Sequence, residues 1–228
     1  MSVEQIVFNP NFLNDIKTYF DLKLSDDKIK DIIRETKQSF QLSTEQINAG
    51  ELEIDEKLET FIDRVEFIGH LNVLSKHAER YNFIIDGQEV QGVHWDINAL
   101  RLYLALTCID IFCDRQNHKQ YFLDVFNNLP SRLVTELTNY LKIIDDNNET
   151  YDIEQFAEFF YNIRNRYTHS GLRFITEGNS IFTLSQTFVV GTKKNKKKKM
   201  LQVQKGFDLI DFVLKISIDN ANRIFRFY

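Results

Sequence analysis

Two prolines and eight glycines in 228 residues leave this chain nearly free of helix breakers, so long helices are what it is free to build. Gly50, Gly87, Gly92, Gly171, Gly178, Gly191 and Gly206 fall between periodic segments and mark their boundaries. Gly69 falls inside a helical pattern, where glycine costs about 1 kcal/mol relative to alanine, and it predicts a close helix crossing there.

The apolar spacing predicts helices over Asn11 to Phe20, Asp26 to Phe40 and Ile54 to Tyr81. Ser25, followed by Asp26 and Asp27, supplies a cap and first-turn acids for the second. Phe83 to Val93 reads as a loop or short hairpin. The run Ile97 to Cys113 is apolar on nearly every side, the pattern of a central helix surrounded by others. Pro130 and Ser131 open a further helix to Ile144, and another runs from near Ile153 to a close at Gly171. Beyond Gly171 the period drops to two. Two short hairpins are expected, Leu172 to Thr176 with Ile181 to Ser185, then Thr187 to Val190 with Leu201 to Gln204 around a lysine-rich loop. A last helix spans Phe207 to about Phe225. The expected fold is mostly α, a helical bundle with a small β-hairpin insertion near residues 172–205.

Several classes are excluded by composition. The most apolar stretch, Leu102 to Cys113, is shorter than the roughly 18 residues of a membrane span and contains Asp110. Met1 to Pro10 shows no basic flank leading into an apolar run, so a cytoplasmic location is expected and no membrane partner. A formal charge of -5 argues against a surface that binds nucleic acid everywhere, and leaves room for a local basic patch. Cys108 and Cys113, five apart on one helix, would face different directions and read as reduced, buried thiols. Asp145 to Glu149 suggests a calcium loop, but Thr150 and Phe156 stand where that loop requires Gly and Glu. His70 and His77 have no completing ligands, so no metal and no cofactor is expected. Phosphate-loop, dinucleotide and hydrolase-elbow motifs are absent.

The segment Phe160-Tyr161-Asn162-Ile163-Arg164-Asn165-Arg166-Tyr167-Thr168-His169-Ser170-Gly171 holds an arginine, a polar residue, and a histidine after four intervening positions. This resembles the signature of HEPN domains, helical bundles in which Arg and a following Asn, Asp or His precede a His by four to six positions. Arg64 and His70 have an allowed spacing as well, but Val65 follows that arginine and both lie mid-helix, so that pair is set aside. The resemblance covers about Trp95 to Gly171 plus the final helix. It implies an N-terminal helical region, 1–93, and a HEPN-like domain, 94–228, that carries the hairpin insertion. It further implies a metal-independent endoribonuclease of toxin-antitoxin or phage-defence type, with Arg164 and His169 catalytic. A homodimer that pairs two motifs into one cleft is implied, with RNA, single-stranded or tRNA, as substrate and an antitoxin or regulatory protein as a further partner. The β-rich insertion after the motif departs from the family pattern.

The residues carry that chemistry by themselves. RNA supplies its own nucleophile, the 2'-hydroxyl, so cleavage needs a proton acceptor, a proton donor and a cation for the charge that develops on the phosphate. Histidine exchanges protons near neutral pH, and an arginine fork grips two phosphate oxygens. Positions five apart on an ideal helix diverge by about 140°, so Arg164 and His169 converge in one chain only if the helix ends or bends there. Asn165 and His169, four apart, share a face and make Asn165 a supporting residue. Asp110, the one acid of the most apolar helix, either orients Arg164 or His169 or forms a salt bridge to another helix. Read blandly, Arg164 is a solvated arginine and His169 a helix-terminal histidine favoured by the dipole. Arg166 and Tyr167 suit RNA by charge and stacking. Lys193, Lys194, Lys196, Lys197, Lys198 and Lys199 hold six of the 28 basic charges, as an RNA-backbone contact or as a solubilising hairpin tip. The alternative function is a non-catalytic helical module that binds RNA or a protein.

Overall fold

The computed structural model describes residues 10–38, 56–71, 83–85, 88–90, 97–114, 117–145, 152–170, 186–192, 195–204 and 206–228. Three helices come first, α1 over Pro10–Tyr19, α2 over Asp26–Gln38 and α3 over 56–71. Pro10 sits at the first helical position, where its missing N–H costs nothing, and Ser25 Oγ accepts from the Lys28 amide at the start of α2 (3.3 Å). A two-stranded antiparallel hairpin follows, β1 over Phe83–Ile85 and β2 over Gln88–Val90.

The remaining helices are α4 (Ile97–Asp110), α5 (His118–Asn127), α6 (Ser131–Tyr140), α7 (Ile153–Ser170) and α8 (Leu209–Phe225). Polar side chains cap three of them. Asn117 accepts from the Gln120 amide to start α5, and Asp208 accepts from Ile210 and Asp211 to start α8. At α7, Asp152 and Gln155 exchange reciprocal bonds, each 3.0 Å, in a capping box. The chain is thus mostly helical. α4 lies against α8, α7 and α5, and α5 lies along α7 through the Phe126–Phe160 and Phe122–Tyr161 ring pairs.

β3 (Leu141–Asp145), β4 (Gln186–Thr192) and β5 (Asn195–Val203) form an antiparallel sheet in the order β3-β5-β4. Two segments of this sheet differ from what their sequence predicts. The helix expected to run to Ile144 ends at Tyr140, because Leu141 and Ile143 alternate with exposed Lys142 and bury their side chains as a strand opposite Leu201 and Val203. The expected lysine loop is largely strand: β5 begins at Asn195, so Lys196, Lys197, Lys198 and Lys199 pair with β4, which leaves Lys193 and Lys194. Those two, the expected hairpin over 172–185, Gly171 and His77 lie outside the described residues.

One apolar core joins all these helices. Ile29, Ile33, Leu58 and Phe61 from α2 and α3 belong to the same buried cluster as Leu106 of α4 and Val213 of α8. Among the described residues nothing crosses closely at Gly69, where an added Cβ meets no atom within 4 Å. No described helix is long and apolar enough to cross a membrane.

Candidate functional site

α4 ends at Asp110, α5 begins eight residues later at His118, and α7 brings Arg164 past both. The apolar repeat of α4 buries Leu106 and Ile109, which carries the last residue of the helix, Asp110, down among the packed helices with its side chain only 8% exposed. An ionised carboxylate there needs a cation. Arg164 supplies it, with Nε 2.6 Å from Oδ2. On the other side His118 Nδ1 lies 3.5 Å from Oδ1.

Both are close polar contacts short of ideal hydrogen-bond alignment: among the described residues neither carboxylate oxygen, Arg164 Nε nor His118 Nδ1 has a well-aligned partner. Burial raises the Asp110 pKa, while Arg164 first and His118 next oppose the rise. Arg164 is fixed a second time by its neighbour, since Nη1 donates to Asn165 Oδ1 at 2.9 Å. Among the described residues no group engages Nη2. Thr168 Oγ1 donates to the Arg164 carbonyl (3.0 Å) and lies 3.4 Å from the Tyr103 hydroxyl of α4.

Of the sequence-predicted site residues, Arg164, Asn165 and Asp110 come together. Of the two roles weighed for Asp110, the contact with Arg164 satisfies both, since it is a salt bridge between helices and it holds the arginine. Arg166, Tyr167 and His169 have their backbones in α7, and their side chains are outside what is described. α7 continues without a break to Ser170, so the helix end that would let positions 164 and 169 converge within one chain does not occur between them.

Sequence reasoning missed His118. Nothing in its local pattern marks it; the signal was the cap-and-stripe of α5, Asn117 followed by Phe122, Val125 and Phe126, which would have revealed a helix beginning beside the end of α4. The set-aside pair is structural in its arginine, since Arg64 Nη1 donates to Thr107 Oγ1 of α4 at 2.9 Å, while His70 is exposed.

No disulfide joins Cys108 and Cys113; Cys108 is buried as expected, whereas Cys113 is only half-buried. Burial pushes the Cys108 thiol up to about 12, which removes it as a nucleophile at neutral pH. Among the described residues no group of three or more His, Cys, Asp or Glu side chains converges to hold a metal ion. Comparison with protein-family profiles, with curated proteins and with solved structures finds no match for this chain.

Proposed function

We propose that the protein is a HEPN-type, metal-independent endoribonuclease that cuts single-stranded RNA or tRNA, in the manner of a toxin or phage-defence effector. The observation that carries this reading is the buried Asp110 on the central helix gripping the Nε edge of Arg164, the arginine of the Arg-Asn-x3-His motif. A charge pair this buried contributes little net stability, so its value lies in holding the guanidinium in one orientation. A guanidinium held at Nε and Nη1 presents its remaining N–H groups to a phosphate with little further ordering.

In the reaction a base takes the proton of the 2'-hydroxyl and the freed oxygen attacks phosphorus. The bond to the 5'-oxygen breaks, and an acid protonates that leaving oxygen. Arg164 offsets the charge on the phosphate oxygens, and His169 takes part in proton transfer. The products are a 2',3'-cyclic phosphate and a 5'-hydroxyl. Because α7 is unbroken from Ile153 to Ser170, Arg164 and His169 complete one cleft most simply when two copies pair their α7 ends, which favours a homodimer. Asn165 supports Arg164. Arg166, Tyr167 and the lysines at 193–194 and 196–199 are proposed RNA contacts, and an antitoxin or regulatory protein is a proposed partner.

The test is cleavage of labelled RNA in excess EDTA by wild type, Arg164→Ala and His169→Ala at matched folding. Cyclic-phosphate products that fall by about 10²-fold or more in both variants are expected. Equal cleavage by the variants would reject these residues as catalysts. RNA binding without cleavage by wild type would favour the non-catalytic binding module instead.

A further inference from the structure

Resting on the ribonuclease reading, we infer that His118 is a second catalytic histidine of this site, the general base that takes the proton of the 2'-hydroxyl. The motif alone leaves a single chain short of this group. Arg164 and position 169 are separated by about 140° of arc on the continuous α7, so the histidine of the motif does not share the arginine's face. The structure brings a different histidine to that arginine. Asp110 contacts Arg164 with one oxygen and faces His118 with the other, so the cation and the imidazole are held within the width of one carboxylate.

The orientation of the ring suits a base. His118 Nδ1 is buried and faces the carboxylate, yet the side chain as a whole is 41% exposed, so the solvent-facing edge is the one that carries Nε2. A carboxylate 3.5 Å from Nδ1 favours the tautomer that keeps the ring proton on that nitrogen, with Nε2 of the neutral ring as the acceptor. Among the described residues nothing engages Nε2. The charged neighbours on either side are, among the described residues, already occupied: Lys119 pairs with Glu158 of α7 at 2.5 Å, and Asp114 pairs with Lys57 of α3. His118 is also the first residue of its helix, where a side chain leaves the bundle without disturbing it.

The step balances simply. His118 Nε2 accepts the 2'-hydroxyl proton as the 2'-oxygen bonds to phosphorus; the 5'-oxygen departs with its electron pair and takes a proton from His169 of a second copy. Arg164 stays charged throughout.

The experiment is the pH dependence of kcat/KM for RNA cleavage in EDTA by wild type, His118→Gln and Arg164→Ala, with His118→Asn as a second variant and matched melting temperatures. Expected for both His118 variants is a loss of about 10²-fold or more near neutral pH, with the acidic limb of the wild-type profile abolished. Cleavage by His118→Gln within about twofold of wild type and with the same profile, while Arg164→Ala is inactive, would overturn the inference and leave the ribonuclease reading in place. A loss of the same factor at every pH would also overturn it, as the mark of a structural role. A wild type that cleaves no RNA would remove the ribonuclease reading and this inference together.

Discussion

Arg164 and Asp110 depend on each other in a way that pH exposes. Burial lifts the Asp110 carboxyl above its ordinary 3.8 despite the guanidinium beside it. A carboxyl raised in the folded state contributes its stability in full below the unfolded value and loses it as pH rises through the folded one. Removing Arg164 deletes the largest opposing attraction, so the folded carboxyl rises further and more stability is lost between acid and neutral pH. Arg164→Ala is therefore expected to cost less at pH 4, where more of Asp110 carries its proton, than at pH 7, where leaving a carboxylate buried without its partner costs about 3 kcal/mol. Urea denaturation at the two pH values measures this, and an equal cost at both would show that Asp110 is not charged in the folded protein. That such a pair existed was legible in part, because an acid on an otherwise apolar helix demands a partner. His118 was not legible, because its approach to Asp110 depends on how the start of α5 is set against the end of α4.

Among the elements, α8 shows how a short polar signal sets an end. Asp208 is exposed and accepts from two amides of the first turn, and Phe207 beside it packs on Phe212 at 5.4 Å. Asp208→Ala removes the cap and the attraction of this carboxylate for the buried Arg101, so a loss of about 1 kcal/mol or more is expected by chemical denaturation, with Asp208→Asn restoring the share owed to the cap. No loss in the alanine variant would mean that packing against α4 alone fixes where α8 begins. Stripes and caps of this kind made α1, α2, α7 and α8 readable from sequence to within about two residues. β3 was not, since Leu141 to Ile144 continues the apolar pattern of α6 and becomes a strand only because β5, some 60 residues away in sequence, offers it a ladder. The lysines misled for the opposite reason. Their charge reads as loop, yet pairing with Phe188 to Gly191 of β4 makes them strand, and the period of two divides positions 196 and 198 from 197 and 199 between the two faces. A continuous basic patch built from all of them is therefore not what β5 offers, and a contact with RNA would draw on one face at a time.

Across the whole molecule, the N-terminal helices are tied to the site by a closed ring of aromatic contacts. Phe20, after α1, meets Phe61 of α3 at 6.0 Å; Phe61 meets Phe112 at 5.5 Å; Phe112 meets Phe225 of α8 at 5.6 Å. Phe225 then meets Phe227 at 5.5 Å, and Phe227 returns to Phe20 at 5.2 Å. All five are buried, and Phe112 stands two residues beyond Asp110. Such a ring couples the helices on either side of it, because loss of one member opens a void that both must tolerate. Phe61→Ala is expected to destabilise the protein by about 3 to 5 kcal/mol. Hydrogen exchange should show faster opening of α5 and α7 as well as of α1 and α3, in one cooperative unit. If exchange quickened in α1 to α3 alone, the N-terminal helices would be an independently unfolding layer, and the seating of Asp110, Arg164 and His118 would owe nothing to them.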